Sequence, residues 1–167
     1  MKKIILDVFI IFVVVVTSLY VYRNYGTDIK NFIFREDAST MYVRSVPISV
    51  SIADEPVEQQ QGLSGVKELG QHQGMLFVFR KEDYYSMWMK DMYIPLDMIW
   101  IDDDLTVVHI EENVTPETFP ESFTSDEPAR FVLEVNAFFV ETEKIKEGDT
   151  VVLPPQALPA DLVEILQ

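Results

Sequence analysis

Ile48, Val50 and Ile52 alternate with Ser49, Ser51 and Ala53, the period of a strand with one face against a core. Residues 75–79 are apolar without interruption, which predicts a central strand covered on both faces. Residues 85–90, 96–101, 105–111, 130–136 and 150–153 read as further strands. Between them lie a Pro95-containing connection, a turn at Asp102-Asp103-Asp104, and a polar stretch over 113–127 broken by Pro116 and Pro120. Pro95 cannot donate to a sheet ladder, so it marks a connection and not a central strand. Two short helices fit the remainder. One is capped by Asp54, carries Glu55-Pro56 in its first turn and stops at Gly62; the other covers 137–144 and stops before Gly148-Asp149. Several short strands, tight turns and one or two small helices predict a mainly β fold, a small antiparallel sandwich or barrel.

The N-terminus follows a different pattern. Lys2 and Lys3 precede an apolar run over residues 4–22 that Arg23 closes. At about 1.5 Å per helical residue, that run can just span a hydrocarbon core of roughly 30 Å. Asp7 lies near the end of the run, where a charge can reach the headgroups. The run is followed by bulky residues rather than a small-x-small cleavage site, so it reads as an uncleaved signal anchor; removal as a signal peptide is the alternative. The flanking lysines place the N-terminus in the cytoplasm and the rest outside a plasma membrane crossed once, or secreted if the segment is cut. The expected organisation is an anchor over 1–23, a linker over 24–45, a β-rich domain over 46–154 and a tail over 155–167.

Charge and composition narrow the partners. Asp plus Glu number 28 against 13 Lys plus Arg, a formal net charge of −15, which repels nucleic-acid phosphates. With no cysteine, disulfides, thiolate metal sites and cysteine nucleophiles are excluded. The chain has only two histidines, His72 and His109. No nucleophile elbow, phosphate-cradling loop or H-E-x-x-H pattern is present, and no cofactor is expected.

A series of short motifs carries a resemblance. They are Ala53-Asp54-x-Pro56-x-Glu58 before Gly62-Leu63; Gly74-Met75-Leu76-Phe77-x-Phe79; Trp88-Met89-Lys90; Ile94-Pro95-Leu96-Asp97-Met98-Ile99 with Ile101-Asp102; Glu112-Asn113; Pro128-x-Arg130; Val132-Leu133-Glu134-Val135-Asn136-Ala137; and Gly148-Asp149. In this order they resemble the domain-of-unknown-function family 192 over residues 46–153. The resemblance implies a compact, mostly β, jelly-roll-like domain, often behind a signal peptide or anchor, and implies no established activity. The chain departs from the family pattern on either side of Gly62-Leu63, where Gln61 stands in place of an Arg and Ser64 in place of a Met. It departs again after Asp102, where a Gly is usual.

Polar residues within apolar strands are the candidate chemistry. A buried charge costs several kcal/mol unless it is paired or neutralised. Asp97 and Glu134 are therefore expected to find Lys90, Arg130 or Asn113. The functional reading is a pocket floored by Trp88 and formed with Lys90, Asp97, Asn113, Arg130, Glu134 and Asn136, in which Lys90 holds an anionic group and Asp97 or Glu134 acts as base. The structural reading pairs Lys90 with Asp97 across a connection, makes Asn136 the cap of the following helix, and leaves Arg130 and Glu134 as a rim pair. Met75, Met87, Met89, Met92 and Met98 crowd one region. Thioethers favour Cu(I), with Met87, Met89, Met92 and His109 the candidate ligands, but gap-filling in a core is what Met does most often. Three function classes follow: a binding module for a small ligand or envelope partner, which is favoured; an envelope hydrolase using Asp97 or Glu134 with Lys90; and a Met-rich Cu(I)-handling protein.

Overall fold

The structure, a computed structural model, describes residues 39–165. The expected anchor lies outside the described residues, and among those described no helix is long and apolar enough to cross a membrane.

Nine strands form: β1 (Ser39–Val43), β2 (Val46–Ala53), β3 (Gln73–Asp83), β4 (Ser86–Trp88), β5 (Leu96–Ile101), β6 (Val107–Val114), β7 (Ser122–Thr124), β8 (Ala129–Asn136) and β9 (Val151–Val152). Among the described residues three short α-helices accompany them: α1 (Pro56–Gln61), α2 (Phe139–Glu143) and α3 (Ala160–Ile165). Seven strands make one sheet in the order β6-β5-β8-β3-β2-β1-β9, and β4 pairs with β7 as a separate ribbon. The large sheet curls until its outer strands meet. The Val107 N–H donates to the Asp149 carbonyl at 2.9 Å, and the Gly148 N–H to the Val107 carbonyl at 2.8 Å. The Val151 N–H reaches the Leu105 carbonyl at 2.8 Å. Closure of this kind leaves few exposed edges.

Alternation along the strands divides the core in two. Ile48, Val50, Leu76, Ile99, Phe131, Leu133 and Val135 face inward, where Phe139 and Val140 of α2 join them. Met75, Phe77, Met98, Trp100 and Val132 face outward and are buried by a second layer. That layer has a covalent origin. β2 and β3 are parallel, with Val50 opposite Gly74 and Ile52 opposite Leu76, and parallel neighbours need a crossover connection. The crossover carries α1 and Leu63, and Leu63, Val66 and Leu69 pack on the outer face. Met87 and Met89, at and just beyond β4, complete the cover. The double covering expected for residues 75–79 is present, because both faces of β3 are roofed.

Several expectations are corrected. The sheet is mainly antiparallel and curled, nearer the barrel than the sandwich of the two expected forms, but β2 and β3 pair parallel; apolar period reports which face is buried and carries no strand direction. Part of the expected linker over 24–45 is strand: β1 pairs with β2, with Met41 opposite Ile48. The stretch 113–127 contains β7, with Phe123 opposite Met87. Within the expected tail over 155–167, Ala157 and Leu162 are buried in the inner core. Glu55, not Asp54, caps α1, and its N–H donates to the Glu58 carboxylate at 3.2 Å. In the turn after Asp102 the positive φ falls on Leu105, while the Thr106 N–H donates to the Asp102 carboxylate at 2.8 Å.

Candidate functional site

The layer over the outer face does not fit tightly everywhere. Between α1 with its C-terminal turn, β4 and the outer faces of β3 and β8 lies a cleft of about 260 Å³. Phe77 and Phe79 of β3 form one wall, and Met87, Trp88 and Met92 another. The α1 glutamines, Leu63 and Ser64 make the third. Glu134 of β8 is the floor.

Local bonding fixes these walls. Gly62 ends α1 at φ +50, and its N–H donates to the Glu58 carbonyl at 2.8 Å. A Cβ at that position would lie 3.3 Å from the Phe77 ring while holding a conformation that costs an L-residue energy. The Gln59 amide donates to the Val78 carbonyl at 2.8 Å, tying α1 to β3. The Ser64 hydroxyl donates to the Lys90 carbonyl at 2.9 Å, and the Gly65 N–H to the Asp91 carbonyl at 2.9 Å. These bonds join the roof to the turn after β4. Tyr85 stacks on Phe79 with ring centres 3.5 Å apart. Trp88 is half exposed at the rim.

Glu134 is 4% exposed and accepts no hydrogen bond or ion pair from any described residue. Its cross-strand neighbours on that face are Met75 and Met98. Removal from water pushes its carboxyl up to about 8, so in the empty cleft near neutral pH the group is mostly the uncharged acid. Among the described residues no deeply buried side-chain oxygen is left without a partner, so the carboxyl oxygens of Glu134 open onto the cleft. An acid held there with no bond from the protein is an uncommitted donor and acceptor.

The other residues expected in one pocket are distributed elsewhere. Asp97 is fully buried, but it stands opposite Val135 on the inner face, whereas Glu134 stands opposite Met98 on the outer face. Its carboxylate accepts the N–H of Val140 at 2.9 Å, of Asn113 at 2.8 Å and of Phe138 at 3.3 Å. Asp97 therefore satisfies the first amides of α2, which has no capping side chain of its own. Asn113, at φ 56, adds its side-chain oxygen to the Phe138 N–H at 3.0 Å. Asn136 does not cap the helix that follows it; its amide donates to the carbonyls of Leu69 and Gly70, both at 2.8 Å, and pins the crossover. Arg130 is no rim partner of Glu134. It is buried and donates to Asp161 of α3 at 2.7 and 2.8 Å, to Asp103 at 3.1 Å and to the Phe79 carbonyl at 3.2 Å. It lines a separate hollow shared with Arg80 and Pro159. The Lys90 side chain is exposed and makes no ion pair with a described residue.

The two acids offered for the hydrolase reading with Lys90 thus lie on opposite faces of the sheet, Asp97 on the inner and Glu134 on the outer. Of the Cu(I) candidates, Met89 is packed in the outer core at 1% exposure, while Met87 and Met92 reach the cleft. His109 is not at the cleft. It sits edge-on to Trp100, with its ring nitrogens 3.2 Å from Glu111 and 3.8 Å from Glu147. Among the described residues, no group of three His, Asp or Glu side chains is placed to hold a metal ion.

The order of motifs and this sheet agree with known proteins. Residues 39–153 match DUF192, described as an uncharacterized ACR. The chain belongs to the DUF192 family. A crystal structure from Sinorhizobium meliloti 1021, described as a candidate transcription regulator, is 34% identical with a TM-score of 0.63, covering 67% of this chain and 88% of that one. A protein of unknown function from Novosphingobium aromaticivorans DSM 12444 is 30% identical with a TM-score of 0.65, covering 68% and 84%. Among curated proteins nothing matches the chain.

The two departures from the DUF192 pattern beside Gly62-Leu63 fall on the cleft. Gln61 and Ser64 both line it. Sequence reasoning had singled out Trp88 and Glu134 but missed the α1 wall. The run Gln59-Gln60-Gln61 was its signal, a polar surface without charge on a helix that buries none of its own residues.

Proposed function

We propose that this DUF192 chain is a binding domain, held at the outer face of the plasma membrane by its N-terminal segment, that takes a small ligand in the cleft over Glu134. The observation that carries this reading is an unpartnered acid, nine-tenths removed from water, at the floor of a cleft walled by Phe77, Phe79, Met87 and Trp88. A fold gains nothing in stability by burying such a group, so its presence is best explained by what it contacts when the cleft is filled. Aromatic and thioether walls with a few convergent polar groups, here the α1 glutamines, Ser64, Ser86 and Glu134, are the usual composition of a ligand site. The apolar run at residues 4–22, the lysines before it and the acidic remainder support the membrane placement. A net charge of −15 argues against carrying over a role on nucleic acid from the Sinorhizobium protein.

The test uses the full chain in lipid nanodiscs and the emission of Trp88; the other tryptophan, Trp100, is fully buried. Titration with a panel of small uncharged and cationic organic solutes is expected to give a saturable change for some members. Ser64→Trp, which fills the cleft from its wall, is expected to abolish it. A panel with no saturable member, or unchanged binding in Ser64→Trp, would sink the reading.

A further inference from the structure

The geometry points to a small organic ammonium ion as the ligand of the cleft, its charge met by Glu134 and its alkyl shell by Trp88, Phe77 and Phe79. This inference rests on the ligand reading above and deepens it. Three observations combine. Glu134 is the sole ionisable group among the described residues that line the cleft, and Lys or Arg is absent from that set. Its carboxylate has no competitor to displace, since no described residue bonds to it. Two of the three walls carry aromatic rings and thioethers, the third being the uncharged α1 glutamines with Leu63 and Ser64, and an ammonium group is attracted to an aromatic face, most strongly to Trp. An anion would find no Lys or Arg in the lining to meet its charge. A wholly neutral apolar ligand would leave the acid buried beneath it with nothing to bond.

Charged groups on the covering elements do not change this balance. Glu55 at the cap of α1, Glu58 on α1, and Lys90 and Asp91 after β4 are outside the cleft lining. The cross-strand neighbours Met75 and Met98 do not titrate. The net charge of −15 attracts cations to the surface as a whole.

Binding then includes a proton exchange. In the empty cleft Glu134 holds its proton, with its carboxyl raised to about 8. The arriving cation favours the carboxylate, so the proton passes to solvent and the O–H bond is replaced by an ion pair; no electron moves. Near pH 7 roughly nine-tenths of the acid is protonated, so about one proton is released per cation bound. Between about pH 6 and pH 9 the affinity for a cation of fixed charge should rise by nearly a hundredfold, levelling once Glu134 is ionised without help.

The probes are choline and butylammonium, set against the uncharged isostere of choline in which carbon replaces nitrogen. They are titrated calorimetrically into the full chain in nanodiscs, in two buffers of different ionisation enthalpy. The expected result is binding of either cation at least tenfold tighter than the isostere, with proton release near pH 7 and the stated rise with pH. Glu134→Gln should lose the discrimination, the proton release and the pH dependence together. Gln61→Arg, which puts a resident cation at the cleft wall, should lose cation binding while Glu134 remains. Glycerophosphoethanolamine forms a further arm: competition with choline assigns the cation to a lipid headgroup, and its failure assigns it to a free solute. If the isostere binds as tightly as choline, or the cations fail where uncharged members of the panel bind, the ammonium assignment falls and the ligand reading stands. If no solute of any class binds, both fall.

Discussion

Asp97 and Glu134 stand on neighbouring strands of one sheet, and each is almost wholly removed from water. Asp97 accepts three main-chain N–H groups and holds α2 and the end of β6 to the inner face. Glu134, one position out of step and therefore on the other face, accepts none from a described residue. One is a structural acid whose capacity is used up; the other is held ready. Burial alone therefore does not mark a functional acid. What separates the two is whether the fold already supplies donors, and that difference should be measurable as opposite signs of the same kind of mutation.

The largest effect belongs to the structural acid. Asp97→Ala leaves the N–H groups of Asn113, Phe138 and Val140 without their acceptor inside the protein. Hydrogen bonds to a charged group are worth about 1.5–3 kcal/mol each, and buried donors left unmade cost a similar amount, so the loss should be on the order of 5 kcal/mol. Urea denaturation measures it, and hydrogen exchange should show the first amides of α2 losing protection. A loss under about 1 kcal/mol would mean these amides find other acceptors and that Asp97 is no more committed than Glu134.

For Glu134 the sign reverses. Its folded-state value of about 8 lies above the ordinary 4.5, so the native state holds this proton more tightly than the unfolded chain does. The group's contribution to stability is fully present below about pH 4.5 and is lost as pH rises through about 8. Glu134→Gln cannot ionise. Near pH 9 it should therefore exceed the native chain by about 5 kcal/mol, a difference that shrinks to nearly nothing toward pH 4. Denaturation of both chains across this range isolates the effect, since every other titrating group cancels in the difference. A difference that stays flat with pH would show that Glu134 is paired or wet.

Much of this contrast could be read in the sequence, and the failure of the single shared pocket has a definite cause. The alternation at Ile48, Val50 and Ile52 and the acid inside Leu133-Glu134-Val135 were visible without coordinates, as was Trp88 beside a Met-rich stretch. The relative faces of Asp97 and Glu134 were not. Both lie on strands apolar on each side, and such a pattern is compatible with either register. One residue of slip would put the two acids on one face. Strand direction was equally hidden: the crossover that makes β2 and β3 parallel also lays α1 over Glu134, so the cleft exists only because of a pairing the period could not specify. β7 escaped notice because three residues between prolines carry too little pattern. The bond from Arg130 to Asp161 joins positions with no local relation in the chain.

The smallest predicted effect tests whether Glu134 is as isolated as the contrast requires. Lys90 is the cation nearest to Trp88 along the sequence and one of the residues, with Arg130 and Asn113, expected to partner a buried acid. In the structure its side chain is exposed and only its main-chain carbonyl is used, by the Ser64 hydroxyl. Any residue supplies that carbonyl, so Lys90→Ala should change stability by less than about 0.5 kcal/mol. More tellingly, it should leave the titration midpoint of Glu134 where it is, followed by the carboxyl carbon resonance. An ammonium facing the carboxylate would hold that midpoint down, so its removal would raise it. If the midpoint climbs by about one unit in Lys90→Ala, the cation reaches the cleft in solution. Glu134 would then be a paired acid like Asp97, and the room reserved for a ligand's charge would already be occupied by the protein's own.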